Sequence, residues 1–446
     1  MKMKMKWILM IAATSILPWS VGALAAPKVV IRSEIASPVV LENVQSRNYL
    51  KISLLGAPVE KRSRTPINLA LVIDRSSSMS GDKIEKARDA AILAVNLLEA
   101  DDTLSVIAYD STVEVIVPAT KVSNKRQLTD KNRRNLQPRG MTALFAGVSK
   151  GLDQVGKHLD KRQVNRIILL SDGQANVGPA SISELSELAR IAAKKGVAIT
   201  TLGIGQHYNE DLMTAIAGFS DGNHAFVENA TDLERTFARE FDDVMSVVAQ
   251  DVEVIIRTAS DVRPVRLLGR EGEIRGNTVT VRLNQLYSNQ EKYVLLEVVP
   301  AQGKRSETRP LADVDVRYDD LAMKKQITHQ DRLALRYTDS EAEARNAVVE
   351  DVLVDSAIQQ MALENERAVK LLDAGQINEA KDVLEQSTQQ LEAMQISTPE
   401  AKKKIQENVE LNKNLRSRME HSNESVFRKA LKEQTYNVRQ QNKMAP

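Results

Sequence analysis

Two short segments, Leu69-Ala70-Leu71-Val72-Ile73 and Ile167-Ile168-Leu169-Leu170, are apolar at every position. A strand with one solvated face alternates polar and apolar residues. A strand that is apolar throughout must be covered on both faces, as in a parallel sheet sheathed by helices. The segments around these runs fit that architecture. Lys83–Ala100 carries Ile84, Ala87, Ala91, Ala94, Val95 and Leu98 at helical spacing. Residues 143–157 and 181–195 also read as helices, the second closed by Gly196. Leu104–Tyr109, Val113–Val117, Val197–Leu202 and His224–Val227 read as further strands, and Glu210–Ala217 and Leu233–Val248 as further helices. This alternation predicts an α/β fold with a doubly wound, mostly parallel sheet.

The first apolar run ends in Asp74-Arg75-Ser76-Ser77-Ser78, and the second leads into Asp172-Gly173. In a doubly wound sheet, the crevice outside the carboxyl ends of the central strands is the usual ligand site. A third loop, Gly140-Met141-Thr142, precedes the helix at 143–157. Together the three loops would gather Asp74, Ser76, Ser78, Thr142 and Asp172. Hydroxyl and carboxylate oxygens suit a hard cation: magnesium, manganese or calcium. Ser76 and Ser78 alone would read as helix capping; it is Thr142 and Asp172 that point to a metal. A similar spacing at Asp101, Thr103 and Ser105 lies at the start of a strand, where residues 103 and 105 project from one face and cannot curl round an ion. Ser77, Ser80 and Ser111 read as loop or capping residues, and Tyr208-Asn209-Glu210-Asp211 as a helix start.

Residues 66–248 resemble a von Willebrand factor type A (VWA) domain. The D-x-S-x-S at 74–78, Thr142 and Asp172 match, in order, its metal-ion-dependent adhesion site (MIDAS). The resemblance implies a six-stranded sheet flanked by helices. It implies that Ser76 and Ser78 ligate the ion directly, Thr142 does so once a ligand is bound, and Asp74 and Asp172 act largely through water. Neutral hydroxyls leave the ion's charge poorly quenched, so it would seek an Asp or Glu carboxylate from a protein partner. Specificity would come from the loops near Ser80–Asp82, Met141–Phe145 and Gln174–Pro179. The order of strands, type A domain and β-rich segment also resembles inter-alpha-trypsin inhibitor heavy chains, on the Leu71–Ser76 region and domain order.

Strands read from residues 28–60 cannot bury a face by themselves. After Gln250, Val252–Arg257, Thr278–Leu283, Tyr293–Val299 and Val314–Tyr318 alternate in the antiparallel manner. Residues 26–64 are therefore expected to pair with 250–337 in a β-sandwich, with the domain at 66–248 inserted between them. Residues 338–446 read as helical, with one tetratricopeptide-like hairpin near 366–385 and a basic tail. Residues 338–399 hold 4 basic and 13 acidic side chains, and residues 400–446 hold 11 basic and 6 acidic. Either these are solvated faces or the basic tail folds back on the acidic hairpin. Arg439 to Pro446 is expected to fray.

Lys2, Lys4 and Lys6, an apolar run from Trp7 to Trp19 and Ala23-Leu24-Ala25 form the pattern of a signal peptide over residues 1–25, cut before Ala26. The mature chain is expected in the periplasm or secreted, with no membrane span. An uncleaved anchor is the alternative, disfavoured because the run is short. The balance of 61 basic and 59 acidic residues argues against a nucleic-acid binder. Absence of cysteine excludes disulfides, thiolate zinc, iron–sulfur clusters and a cysteine nucleophile. Gly147–Gly151 matches G-x-S-x-G but lies in a helical pattern, and Gly151–Lys157 lacks the hydroxyl a phosphate loop needs at its end. Gly203-Ile204-Gly205 lacks the third glycine of a dinucleotide site. No histidine or evident base lies near Asp74 to activate water. These features favour an exported, non-enzymatic protein-binding, adhesion or scaffold protein of unassigned oligomeric state. The alternatives are an accessory subunit of an ATPase-linked assembly, which the export signal opposes, and a metal-dependent hydrolase, which lacks a base.

Overall fold

The computed structural model describes residues 28–58, 64–421 and 423–441; the segment read as a signal peptide lies outside them. Three strands open the described chain: β1 (Val29–Ile35), β2 (Val39–Leu41) and β3 (Asn48–Gly56). The central domain follows. Its strands are β4 (Ile67–Asp74), β5 (Thr103–Tyr109), β6 (Val113–Lys121), β7 (Val164–Ser171), β8 (Val197–Ile204) and β9 (His224–Val227). Its helices are α1 (Asp82–Leu97), α2 (Lys125–Asn135), α3 (Leu144–Gly156), α4 (Ile182–Lys194), α5 (Glu210–Phe219) and α6 (Leu233–Met245).

The sheet order is β6-β5-β4-β7-β8-β9, six strands, all parallel except β6. Every residue of β4, β5, β7 and β8 is buried, as the uninterrupted apolar runs require. Leu69, Leu71 and Ile73 pack toward Ile84 and Ala87 of α1 and Phe237 and Phe241 of α6. Ala70 and Val72 point the other way, toward Val148 and Leu152 of α3 and Leu185 of α4. The two-residue period of a strand thus feeds two separate cores.

Seven strands continue the chain: β10 (Val247–Thr258), β11 (Val262–Leu268), β12 (Glu273–Arg275), β13 (Thr278–Tyr287), β14 (Glu291–Pro300), β15 (Thr308–Asp320) and β16 (Lys325–Thr338). They form a four-stranded sheet, β1-β3-β14-β11, and a six-stranded sheet, β12-β13-β10-β15-β16-β2. β3 runs antiparallel to β14, with Leu50 opposite Leu296. The two sheets share one core, with Leu50, Ile52 and Leu54 among Val254, Ile256, Val281 and Val314. The central domain therefore sits in the chain between β3 and β10. The sequence places the closing helix through Val248 and the next strand from Val252, whereas α6 stops at Met245 and β10 starts at Val247. Asp251, with φ of 52°, lies at a bulge that interrupts the alternation and hides the early start.

The helical region comprises α7 (Glu341–Asn346), α8 (Glu350–Asp373), α9 (Ile377–Glu392), α10 (Pro399–His421) and α11 (Glu424–Gln440). The α8–α9 hairpin is longer than the segment 366–385 singled out above. The two charge runs meet: Lys404 pairs with Asp351 at 2.5 Å and Asp355 at 3.0 Å, Lys413 with Glu392 at 2.5 Å, and Arg416 with Glu385 at 3.2 Å. The expectation of fraying from Arg439 does not hold for its first residues. Arg439 pairs with Glu366, and the Gln441 side chain accepts from Arg270 Nε at 2.8 Å and from the Tyr293 N–H at 3.3 Å.

Helix α11 also docks on the central domain. Glu210 at the start of α5 takes Arg428 and Lys429, each at 2.5 Å, and Tyr436 donates its hydroxyl to the Gly222 carbonyl at 2.6 Å. Glu433 Oε1 accepts the backbone N–H of Phe226 on edge strand β9 at 2.9 Å. From the sandwich side, Gln285 and Tyr287 receive the wholly buried Arg166 of β7, at 2.8 and 2.7 Å. No helix among the described residues is long and apolar enough to cross a membrane.

Candidate metal centre

The site forms where β4 and β7 end side by side. Their register sets Ile73 opposite Leu170, so Asp74 and Ser171 come together and Ser171 Oγ donates to Asp74 Oδ2 at 2.7 Å. The other Asp74 oxygen accepts the Ser76 N–H at 2.8 Å, which curls the chain back over the carboxylate. Ser77–Met79 then forms a short helical turn, anchored by the fully buried Met79. Ser76 Oγ and Ser78 Oγ lie 3.0 Å apart, and Ser78 Oγ donates to Asp172 Oδ1 at 2.7 Å.

Thr142 arrives on the third loop. Its N–H donates to Asn176 Oδ1 at 2.8 Å, and the following N–H, of Ala143, to the Asp110 carbonyl at 2.8 Å. Gly173 shows how close the pieces are. A Cβ there would lie 3.2 Å from Thr142 Oγ1, 3.5 Å from Ser78 Oγ and 3.9 Å from Asp74 Oδ2. Around that bare backbone the residues anticipated from three loops converge: Asp74, Ser78 and Thr142 directly, Ser76 and Asp172 through Ser78 Oγ.

The loops are clasped from outside by charge. Asp110 takes Arg75 Nε at 2.8 Å and Arg139 Nε at 2.9 Å. Burial would raise the Asp110 carboxyl, but hydrogen bonds from Arg139, Thr112 and Arg75 bring it down to about 2. The Arg139 N–H donates to the Arg75 carbonyl at 2.7 Å, and Ser77 Oγ to the Gly140 carbonyl at 3.0 Å. Gly140 has φ of 69°, and a Cβ there would stand 2.8 Å from Ser111 Oγ, so both backbone and space call for glycine.

Asp74 and Asp172 are fully buried, Ser76 and Thr142 nearly so, while Ser78 is exposed at the mouth. Burial pushes the Asp74 carboxyl up to about 6, against the hydrogen bonds from Ser76 and Ser171, and the nearby Asp172 pushes the same way. Two carboxylates held out of water beside three hydroxyls suit a divalent ion. Glycine at 173 keeps a side chain of its own out of the space beside Thr142, Ser78 and Asp74. The residues fit the ion that the resemblance implies. Among the described residues no cluster of three or more His, Asp or Glu is arranged to hold a metal.

Three contributors escaped the sequence reading. Lys83 places Nζ 2.5 Å from Asp172 Oδ2 and 3.3 Å from the Ser78 carbonyl, so the chain brings a cation of its own to the outer carboxylate. Its position in the first turn of α1, directly after the serine loop, was the available signal. Ser171 precedes Asp172 and could have been found by aligning the two strand ends. Asn176 lies in the Gln174–Pro179 loop named above, but nothing in the sequence singles out its side chain. Elsewhere, Asn209 caps α5 as read, its side chain accepting the Leu212 N–H at 3.0 Å, whereas Glu210 is turned to α11. The G-x-S-x-G at 147–151 lies inside α3.

Comparison with known proteins agrees with this architecture. The family model described as "von Willebrand factor type A domain" matches residues 68–239. An uncharacterized protein of Synechocystis sp., sll0103, is 30% identical over 292 residues, 62% of this chain and 67% of that protein. Mouse inter-alpha-trypsin inhibitor heavy chain H3 is 27% identical over 198 residues; the match covers 42% of this chain but 22% of that protein. Among solved structures, a von Willebrand factor type A protein from Catenulispora acidiphila superposes with a TM-score of 0.71 at 13% identity, covering 87% of this chain and 90% of that one. With the family model matching residues 68–239 and the fold shared with a solved member, the chain belongs to the von Willebrand factor type A domain family.

Proposed function

We propose that this is an exported, non-enzymatic binding protein whose VWA domain captures an acidic side chain of a partner protein through a divalent cation, magnesium, manganese or calcium. The family's domains typically mediate protein–protein interaction, which supports the reading. The observation that carries it is the convergence of Ser78, Thr142 and Asp74 within 3.9 Å of the Cβ position at Gly173. In this reading Ser76 and Ser78 hold the ion directly, joined by Thr142 when the partner is bound, while Asp74 and Asp172 hold it through water. The ion supplies an electrophile for the partner's carboxylate. The chain supplies neutral ligands that leave the ion's charge unspent, a buried Asp74 oriented by Ser171 and Ser76, and loops fastened by Asp110. Export rests on the Lys2–Ala25 pattern, and adhesion or scaffolding on the sandwich and helices that frame the domain.

The test is capture of envelope or extracellular proteins by the full chain, with magnesium and with chelator, by wild type and by Asp74→Ala. Partners should be lost in chelator and with the variant. Partners retained in both conditions would end the metal-mediated reading. A circular dichroism melt of Asp74→Ala separates lost binding from lost folding, and Thr142→Ala should weaken capture more mildly.

A further inference from the structure

Helix α2 carries Arg126, Lys131, Arg133 and Arg134, all exposed, and none has an acidic partner among the described residues. The neighbouring Arg75 and Arg139 are both tied to Asp110 and Glu114. The helix contains one acid, Asp130, and anchors itself through little more than Leu128 and Asn132. Cations in its last turn suit the helix dipole, which accounts for Arg133 and Arg134. Lys125 in the first turn donates Nζ to the Asn96 carbonyl at 2.8 Å, but the dipole does not account for Arg126 beside it, where positive charge is unfavourable and no acid offsets it. A shallow groove runs among Arg126, Gln127, Lys131 and Arg134, with the exposed Asp130 also on its wall, three cations against one acid.

This helix is not remote from the metal loops. Arg75, between Asp74 and Ser76, donates Nη1 to the carbonyl of Asn135, the last residue of α2, at 3.0 Å. The segment leaving α2 passes through Arg139 and Gly140, both bonded to the serine loop, and reaches Thr142. The C-terminal end of the cationic helix is therefore tied to the serine and threonine loops. From Arg126 to Arg134 the helix rises about 12 Å, the reach of roughly four residues of extended chain.

We propose that α2 and the metal loops together dock a run of consecutive Asp or Glu residues in a partner polypeptide, with one carboxylate at the ion and its neighbours along the Arg126–Arg134 face. The inference rests on the proposed function for the carboxylate at the ion, and on the unpaired cations of α2 for the rest. An acidic polypeptide, rather than an anionic lipid surface, follows from the adjoining metal loops, whose proposed ion takes a side-chain carboxylate.

Fluorescence polarisation of labelled octaglutamate against the full chain tests it. The proteins are wild type, Asp74→Ala, and the combined variant Arg126→Gln, Lys131→Gln, Arg133→Gln, Arg134→Gln, each in magnesium and in chelator. The combined variant should bind octaglutamate at least tenfold more weakly than wild type and lose most of the salt dependence. Its thermal midpoint should stay within a few degrees of wild type, because no ion pair is lost and relief at Arg126 offsets part of the dipole interaction lost at Arg133 and Arg134. In chelator, wild type should keep a weaker, salt-sensitive binding that the combined variant lacks. Equal affinity of wild type and combined variant overturns the proposal. So does sedimentation of wild type with phosphatidylglycerol vesicles in the absence of octaglutamate binding, which would assign the face to a membrane. If magnesium and Asp74→Ala change nothing while the combined variant still loses binding, the metal reading fails and the acidic-segment surface stands.

Discussion

Gly173→Ala isolates the metal cradle from the fold. The backbone there is not left-handed, so the substitution adds a methyl without conformational strain. That methyl would lie 3.2 Å from Thr142 Oγ1 and 3.5 Å from Ser78 Oγ, the first closer than ordinary van der Waals contact allows. Thr142 must yield by a few tenths of an ångström. Magnesium holds its oxygens at about 2.1 Å and tolerates errors of about 0.2 Å, so the shift exceeds what the ion accepts. Loss of that geometry should weaken divalent affinity roughly 10- to 100-fold, about 1.4–2.8 kcal/mol. Isothermal titration with magnesium and manganese, run with saturating octaglutamate so that Thr142 is engaged, reads the affinity, and a thermal melt in chelator reads the fold. The melt should lie within about 2 °C of wild type, because no buried partner is lost. Wild-type affinity in a folded Gly173→Ala protein would refute the placement of the ion in front of Ser78 and Thr142.

Two further outcomes concern the helix that returns to the central domain. Lys429→Met removes an ammonium 2.5 Å from the largely buried Glu210, leaving Arg428 as that carboxylate's remaining close cation, and should cost about 1–3 kcal/mol in urea unfolding. Adding Glu210→Gln should recover part of the loss, and full additivity of the two changes would show that they do not interact. Burial pushes both Glu240 of α6 and Glu433 of α11 up to about 7, each raised further by a like charge, Asp243 for Glu240 and Glu240 for Glu433, and eased by Arg239 and by Arg166 or Arg418. A raised carboxyl favours the folded state fully below its ordinary value near 4.4, and that contribution disappears as pH rises through about 7. Stability should therefore decline between about pH 5 and 8, and Glu433→Gln should flatten the decline; an unchanged slope in that variant would sink the assignment.

How far the sequence spoke depended on whether a contact was local or was set by strand register. β4 and β7 were legible because nothing polar interrupts them, and Asp74 and Asp172 followed because both close such a run. Thr142 depends on a loop crossing over the serine turn; its place just before the helix at 143–157 marked it, and the family pattern then matched it. β16 was missed because Lys325–Thr338 is charged and half exposed along most of its length, as suits a strand next to the sheet's edge. β2 is three residues long and pairs in parallel with β16, a contact across most of the chain. The partners of α11 on the central domain lie more than 200 residues away, and only the charge asymmetry between 338–399 and 400–446 hinted that the tail has somewhere to go.

The bond from the Phe226 N–H to Glu433 has a consequence for how copies of this protein coexist. A bare outer strand offers its unspent amides to any neighbour able to add one more rung, and such addition can propagate from molecule to molecule. At the opposite margin β6 defends itself with Pro118 and an irregular register against β5. β9 has no proline or bulge and relies on α11 as a sheath. A chain cut before Asn423 would keep its metal loops intact yet expose that margin, and its first symptom would be polymerisation rather than loss of ion binding.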